Sequence, residues 1–285
     1  MVAVTPFLPD RPDRPDLPRL PGRGAADGLP PRHIGPHPRH APGVWQEWLS
    51  GRAVPSVAAA DIVPASGRLV VVAPHPDDEL LACGLLLQAH LQQGGRVHIV
   101  GVTDGEASHA GDPGWPASAL AATRRAERRS GMRALGLHTA PLLRLGLPDG
   151  GVAAHEAALA RTLREMLRAD DVVVSTWRLD GHPDHEACGR AAADAARAAG
   201  ATLWEAPVWM WHWADPSNGE IPWHRLRTLR AGAGAPRGQA AARKATALAC
   251  HLSQLAPRAG GEGPVLDDAI RQRARWPFET FLAPA

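Results

Sequence analysis

The chain has few cysteines, no tyrosine and no long apolar run. Its three cysteines in 285 residues show no Cys-x-x-Cys spacing, which argues against a disulfide framework or a cysteine-ligated zinc site. No stretch approaches the roughly 18 apolar residues of a membrane span. Residues 1–8 lack the charged and apolar regions of a secretory signal. We therefore expect a cytoplasmic protein with no membrane span.

An excess of charge of one sign is also missing. The chain carries 31 Lys and Arg residues against 29 Asp and Glu residues, a formal net charge of +2. The arginines are spread along the chain and form no dense basic block, so a nucleic-acid partner is not expected. The hydrophobic content of 45% is ordinary for a globular protein with a core of its own.

Proline is concentrated near the start of the chain. Residues 1–43 hold 11 of the 28 prolines, and proline fixes φ and lacks a backbone donor, so this stretch cannot join a helix or a central strand. We interpret residues 1–66 as a proline-rich leader, partly disordered, with a short helix near residues 44–49. The folded domain is expected over residues 67–285.

Strands and helices alternate after residue 67. Short apolar runs predict strands over residues 69–73, 97–102, 141–145, 171–176, 202–205 and 208–213. Periodic segments ended by glycine or polar residues predict helices over residues 79–93, 117–135, 152–168 and 185–199. This alternation is typical of an α/β fold with right-handed βαβ units and a mostly parallel sheet.

Two clusters of histidine and aspartate directly follow predicted strands. Pro-His-Pro-Asp-Asp-Glu at 74–79 comes after the strand 69–73, and Gly-His-Pro-Asp-His-Glu at 181–186 comes shortly after the strand 171–176. Sites in α/β sheets lie at the carboxyl ends of strands. The two clusters are therefore expected on one sheet edge, where they suggest a mononuclear metal centre.

Each cluster alone has a simpler interpretation. Asp77 or Asp78 could cap the following helix, and His182 and His185 could be ordinary polar residues. Together, two histidines and one carboxylate leave coordination positions open, which is typical of catalytic zinc and of non-haem iron sites. A neighbouring carboxylate can deprotonate a metal-activated water, and a further histidine can act as an acid or stabilise an oxyanion. Hydrolysis of an amide follows from that set of groups.

The motifs resemble those of the LmbE-like (PIG-L) deacetylase family. Besides the two clusters, four further segments between residues 67 and 255 are similar to family motifs: Thr-Asp-Gly-Glu at 103–106, Arg124 with Glu127, Leu-Pro-Asp-Gly at 147–150 and His-Leu-Ser-Gln at 251–254. The resemblance implies a Rossmann-like three-layer fold. It also implies removal of an N-acetyl or other N-acyl group from an N-acylglucosamine-type sugar or glycoconjugate.

The resemblance further implies a role for each matching position. His75, Asp78 and His185 would be the ligands of Zn²⁺, with Fe²⁺ as the alternative metal. Asp77 would be the general base, and His182 the acid or oxyanion stabiliser, oriented by Asp184.

Three residues would contact the sugar: Glu106, Arg124 and Asp149. Simpler interpretations exist for two of them, because Arg124 and Glu127 could be a plain helix pair and Asp149 a turn former. The partner is then a small amino-sugar conjugate, and the sequence leaves a homo-oligomer open.

Ten tryptophans are present, and five of them lie between residues 204 and 223. Those at 209, 211 and 213 alternate, which predicts one face of a strand. We interpret them as part of a core or an interface; the alternative is a platform for a sugar ring or an acyl chain.

Two other functions remain open at this point. A non-haem Fe(II) oxygenase uses the same ligand types, but such enzymes usually have β-rich folds. A non-catalytic sugar-binding protein of the same fold would not need the base at Asp77.

Overall fold

One eight-stranded sheet runs through the part of the chain that the computed structural model describes, residues 32–217, 221–230 and 238–284. Its strands are β1 (Ser56–Val57), β2 (Arg68–Ala73), β3 (Arg96–Thr103), β4 (Leu142–Leu147), β5 (Asp171–Thr176), β6 (Thr202–Ala206), β7 (Leu226–Arg230) and β8 (Phe278–Leu282). The spatial order is β1-β7-β8-β6-β5-β2-β3-β4. Only the pairs that involve β8 are antiparallel in this sheet, so the predicted α/β fold with a mostly parallel sheet is confirmed.

Helices cover both faces of the sheet. They are α1 (Pro42–Gly51), α2 (Ala59–Ile62), α3 (Asp78–Gln92), α4 (Ala117–Leu135), α5 (Glu156–Met166), α6 (Pro183–Ala199), α7 (Met210–Trp213), α8 (Gln239–Leu248), α9 (Leu252–Leu255) and α10 (Asp268–Ala274). A 3₁₀ turn, Val152–His155, precedes α5. None of the described helices is long and apolar enough to cross a membrane.

The valine-rich strands β2 and β5 lie at the centre because both of their faces are buried. Alternate side chains of a strand point to opposite faces: Leu69 and Val71 of β2 pack in the core with α3, whereas Val70 and Val72 pack in the core with α5 and α6. Continuous valine runs are characteristic of parallel strands covered on both faces. The arrangement is the expected three-layer fold.

The strand predicted over residues 208–213 is wrong. Residues 210–213 form the helical turn α7, since the backbone N–H groups of Val208, Trp209 and Met210 all donate to the buried Asp180 carboxylate. Amides bound to a carboxylate cannot join a strand ladder. The alternating tryptophans therefore do not share a strand face.

Residues 32–66 pack against the sheet and the tryptophan-rich region. Strand β1 pairs with β7, and Trp45 of α1 is fully buried against Trp211, with its indole N–H donating to the Trp211 carbonyl. The division of the chain at residue 66/67 stays a prediction. Residues 1–31, on which the predicted disorder of the leader mainly falls, lie outside the described residues.

Candidate active site

The two His-Pro-Asp clusters meet at the carboxyl ends of the adjacent strands β2 and β5. Asp77 has φ 142° and precedes α3, a backbone conformation that Asn and Asp tolerate better than most residues. In the second cluster His182 precedes α6, with Pro183 at the first helical turn, where its missing N–H costs nothing. Both turns therefore point polar side chains over the same edge.

Three of these side chains form a compact triangle. His75 Nδ1 lies 3.1 Å from Asp78 Oδ2, His185 Nε2 lies 3.2 Å from the same oxygen, and the two nitrogens are 3.3 Å apart. A metal held tetrahedrally by bonds of about 2.0–2.1 Å requires ligand atoms about 3.3–3.4 Å apart. The triangle matches this spacing, and it is the ligand set that the sequence predicted.

In each of the two histidines, the ring nitrogen that faces away from the triangle contacts a carboxylate. His185 Nδ1 lies 2.8 Å from Asp180 Oδ2. His75 Nε2 lies 3.1 Å from Asp149 Oδ1 and 3.3 Å from Asp184 Oδ2. Such contacts fix the tautomer and leave the opposite ring nitrogen free for a metal. The donor set thus fits a divalent cation.

The ionisation of the triangle shows how strongly it favours positive charge. Burial would raise the pKa of Asp78, but the charges and hydrogen bonds of His185 and His75 hold it well below its usual range. Burial would lower the pKa of His185, but Asp78 and Asp180 raise it to about 9. The triangle therefore stabilises a cation, and a metal must compete with protons for these ligands.

Asp77 lies beside the triangle and is held by Arg124. The Arg124 Nη2 donates to Asp77 Oδ2 at 3.1 Å and to the Pro76 carbonyl, while Nη1 donates to the Gly105 carbonyl. Burial raises the pKa of Asp77 to about 7, against the opposing charge of Arg124. A carboxylate with a pKa near neutrality is suited to general-base work.

His182 faces the cavity as a neutral imidazole. Its Nδ1 accepts a hydrogen bond from the Asp184 backbone N–H at 3.2 Å, which places the ring proton on Nε2. Burial, together with the charges of His75 and His185, lowers its pKa to about 3. The side chain of Asp184 bonds to other groups, namely His75 and the backbone N–H groups of Gly150 and Val152. Asp184 therefore orients His182 through its backbone N–H and not through its carboxylate.

A cavity of about 350 Å³ opens above these groups. It is large enough for a sugar ring. Its lining comprises the triangle, Asp77, His182, Arg124 and Asp149, together with Leu81, Ala107, Ser108, Gly150, Pro183, Trp209, Gln254, Arg258, Val265 and Leu266.

The family model described as PIG-L, GlcNAc-PI de-N-acetylase, matches residues 70–196. That segment includes both clusters and the whole triangle of His75, Asp78 and His185. The part of the chain that carries the candidate site is therefore similar to the PIG-L family.

The chain is also similar to proteins of known name. Over 267 residues the chain is 28% identical to the 1D-myo-inositol 2-acetamido-2-deoxy-alpha-D-glucopyranoside deacetylase of Tsukamurella paurometabola, a match that covers 72% of this chain and 89% of that protein. The crystal structure of the conserved protein TT1542 from Thermus thermophilus is similar, with 25% identity, a TM-score of 0.51 and coverage of 76% of this chain and 94% of that one. A deacetylase of teicoplanin biosynthesis shares the fold, at 19% identity, a TM-score of 0.55 and coverage of 75% and 96%.

Of the three residues predicted to contact the sugar, two line the cavity and one does not. Arg124 and Asp149 line the cavity. Arg124 uses its donors on Asp77 and two carbonyls, and Asp149 accepts from Ala107 N–H and contacts His75. Glu106 lies behind Asp149, accepting its backbone N–H at 3.0 Å, outside the cavity lining formed by the described residues.

Sequence reasoning missed several groups of this site. Asp180 was not singled out, although it holds His185 and three backbone amides. Ser108 and Arg258 line the cavity from distant segments, and no local pattern marks them. Gln254 and Trp209 also line it; the sequence placed them in the 251–254 motif and in the tryptophan-rich region without assigning either to the site. The family motifs at 124–127 and 251–254 meet in space, because Glu127 accepts from both the backbone N–H and the hydroxyl of Ser253 at 2.7 Å.

Proposed function

We propose that this protein is a zinc-dependent hydrolase that removes an N-acetyl or N-acyl group from an N-acylglucosamine-type sugar or glycoconjugate. The observation that carries the proposal is the triangle of His75, Asp78 and His185, with Asp77 beside it, in the floor of a sugar-sized cavity. The match of residues 70–196 to the PIG-L family model and the similarity to a named deacetylase support the same reaction.

His75 Nδ1, Asp78 Oδ2 and His185 Nε2 would hold the metal. Bound there, zinc would lower the pKa of a water toward neutrality and polarise the amide carbonyl. Two nitrogens and one carboxylate oxygen are common ligands of a catalytic zinc with a position left open. Fe²⁺ accepts the same ligands, so metal analysis of the purified protein is part of the test.

Asp77 takes the proton of the attacking water on its carboxylate and returns it to the departing amine. Arg124 keeps that carboxylate in place through its hydrogen bond to Oδ2. Nη1 and Nη2 also donate to the carbonyls of Gly105 and Pro76, so the guanidinium cannot move away without losing three hydrogen bonds.

His182 donates from Nε2 to the oxygen that becomes negatively charged as water adds to the amide carbon. A neutral imidazole serves this role because the Asp184 backbone N–H occupies Nδ1. A donor already in place gains strength in a site that excludes water. Of the two roles considered for His182, the hydrogen-bond geometry favours the oxyanion stabiliser.

The amino sugar would lie between a polar and an apolar side of the cavity. Asp149, Ser108 and Gln254 offer polar groups, whereas Leu81 and Trp209 offer apolar surface. Arg124 and Asp149 are near enough to be part of sugar recognition, and Glu106 would act only through Asp149. Trp209 is the member of the tryptophan-rich region that reaches the cavity.

A deacetylation assay tests the proposal. Zinc-loaded protein is offered a panel of N-acetylglucosamine conjugates, and released acetate is measured. We expect turnover of at least one conjugate, lost on chelation and restored by zinc. Oxygen uptake without acetate release would point to Fe(II) oxygenase chemistry, and saturable sugar binding without release of acetate to a binding protein; either result would contradict the proposal.

The proposal also includes a cytoplasmic location, in keeping with the free state of all three cysteines, since disulfides are common in proteins of oxidising compartments and rare in the cytosol. Cell fractionation tests the location. A homo-oligomer is tested by the mass of the purified protein in solution.

A further inference from the structure

The turn that carries His182 is held on one side by the tryptophan-rich region. It comprises residues 180–182, between β5 and α6, and Gly181 within it has φ 96°, a conformation that residues with a side chain rarely adopt. The Asp180 carbonyl accepts the indole N–H of Trp213 at 2.7 Å. A Cβ at Gly181 would lie 2.6 Å from that indole nitrogen, so only glycine allows the tryptophan to approach the turn this closely.

Glu186 of α6 holds the same turn from within the helix. Its Oε1 accepts a hydrogen bond from the Gly181 backbone N–H at 3.1 Å, and its own backbone N–H donates to the His182 carbonyl at 3.0 Å. Neither bond involves the imidazole of His182. Glu186 therefore acts on the backbone that sets the direction of the His182 side chain.

Arg32 fixes the carboxylate of Glu186. Its Nε donates to Oε1 at 2.8 Å and its Nη2 to Oε2 at 3.4 Å, so both carboxylate oxygens are bonded. The two side chains are only 10% and 17% exposed, and a charge-assisted pair with little exposure is held more firmly than a surface pair. Arg190 Nη1 lies 3.8 Å from Glu186 Oε2, but Arg190 bonds at 2.8 Å to Glu156.

The segment that carries Arg32 is itself attached to the fold. The Arg39 backbone N–H donates to the His212 carbonyl at 2.7 Å, and Ile34 packs against the tryptophan-rich core cluster. This segment lies outside residues 70–196, which match the PIG-L family model. A part of the chain beyond the family match therefore reaches the turn of the candidate active site.

We propose that Arg32 and Glu186 are positioning residues for His182, which hold the Gly181 backbone so that the imidazole points at the oxygen of the substrate amide. Neither residue lines the catalytic cavity that the described residues form, so both act through the turn. As far as the reaction is concerned, this inference rests on the proposed deacetylase function. An oxyanion donor works only at hydrogen-bond distance, and a small displacement of it lowers the rate.

The kinetic test compares variants of the pair in the acetate-release assay. Glu186→Ala and Arg32→Gln should each lower kcat about tenfold, with KM within about twofold of the wild type, because the donor is strongest in the transition state. Metal content should stay unchanged. Glu186→Gln keeps an acceptor for the Gly181 N–H and should retain more activity than Glu186→Ala. An unchanged kcat in both Glu186→Ala and Arg32→Gln would overturn the proposal.

A matched control comes from the same segment. Arg39 forms an ion pair with Asp215, and its side chain is 60% exposed. Arg39→Gln removes a charge and an ion pair close to Arg32 without touching the turn, so its kinetics should be those of the wild type. A tenfold loss in this variant would attribute the effect to the segment as a whole and would overturn the specific role of Arg32.

A double-mutant cycle tests whether Glu186 acts through His182. In a His182→Ala background, Glu186→Ala should cause no further loss of kcat, because the group that it positions is already absent. A general destabilisation would lower the activity of both backgrounds by the same factor. A further tenfold loss in the His182→Ala background would therefore overturn the proposal.

Hydrogen exchange tests the turn without any assay of activity. The Gly181 amide should exchange about tenfold faster in Glu186→Ala and in Arg32→Gln than in the wild type, because a bonded amide exchanges only when its bond opens. Amides of β2 should be unaffected, which shows that the variants are folded. Unchanged exchange at Gly181 would overturn the proposal. If the wild type released no acetate, the proposed function would fail, and the exchange rates alone would decide whether the pair holds the turn.

Discussion

The cluster at residues 75–79 and the cluster at residues 181–186 use their polar groups differently. The first supplies His75 and Asp78 to the triangle and Asp77 to the space beside it. The second supplies only His185 to the triangle. The Asp184 carboxylate contacts His75 Nε2 and accepts a hydrogen bond from the Gly150 backbone N–H, so it helps to orient a histidine of the first cluster.

The backbone explains this division. The positive φ of Asp77 turns consecutive carboxylates in different directions, so one ligates and the next meets Arg124. The second cluster opens a regular helix, in which residues three apart lie on one face, and this brings His182 and His185 to the same side. The comparison teaches that two motifs of similar sequence can have different tasks: in one, most polar side chains face the proposed metal site, and in the other, most of them hold those side chains in place. Variants of single residues test this difference.

The largest effect is expected from His185→Ala. This change removes one of three ligands and leaves the buried Asp180 without its imidazole, so metal content should fall to a minor fraction. Activity should drop by about 10⁴-fold or more, since the metal contributes several kcal/mol to the transition state. Metal analysis and acetate release measure both effects, with the exposed His138→Ala as control. Full metal occupancy in His185→Ala would show the ligand set to be wrong.

Asp77→Asn should lower activity without affecting the binding of metal. Asparagine keeps the shape and tolerates the positive φ, but it cannot accept the proton, so activity should fall about 10³-fold with metal content unchanged. The same measurements apply, and Asp170→Asn at an exposed position is the matched control. Unchanged turnover would remove Asp77 from the role of base.

His182→Ala should lower kcat by about 10²-fold through loss of the oxyanion donor, and metal content should stay at the wild-type level. This variant also discriminates between ligand sets, because His75, His182 and Asp184 form a second group close enough to hold a metal. Loss of metal in His182→Ala, with retention in His185→Ala, would favour that second group.

The smallest effect is expected from Asp180→Asn, which weakens the support of His185 without removing a ligand. Metal affinity should fall by about 30-fold, and protein saturated with metal should regain most of its activity. Competition with a metal chelator measures the affinity, with Asp170→Asn again as control. An unchanged affinity would mean that the three backbone amides alone, and not the contact with His185, account for the burial of Asp180.

The parts of the molecule that the sequence predicted are those with local causes. Valine runs bounded by turns produce β2 and β5, and the apolar period between Pro116 and Gly136 produces α4 with its predicted bounds. The proximity of His75, Asp78 and His185 was predictable because they come from two motifs at adjacent strand ends; their role as metal ligands stays a prediction. In these segments the secondary structure that the local sequence pattern favours is the one that the fold contains.

The remainder depends on contacts between distant segments. Asp180 is a single loop aspartate whose amide partners lie 28 to 30 residues further along the chain. Because of these contacts, the segment predicted as a tryptophan-rich strand contains the helical turn α7 instead. Gln254 and Arg258 reach the cavity from beyond α8. Strands β7 and β8 are short, and their places in the sheet depend on pairing with each other and with the distant strands β1 and β6, so no local periodicity predicts them.

The position of β8 has a consequence for the order of assembly. This strand follows the other seven along the chain, lies between β7 and β6 and connects the pair β1-β7 to the rest of the sheet. A folding chain can therefore assemble β6-β5-β2-β3-β4, with His75, Asp78 and His185, before β7 has its place. In pulse-labelled refolding, amides of β2 and β5 should gain protection earlier than those of β7, and simultaneous protection would contradict this order. The five strands β6-β5-β2-β3-β4, whose edge carries the candidate metal site, would then form a folding unit before β8 completes the sheet.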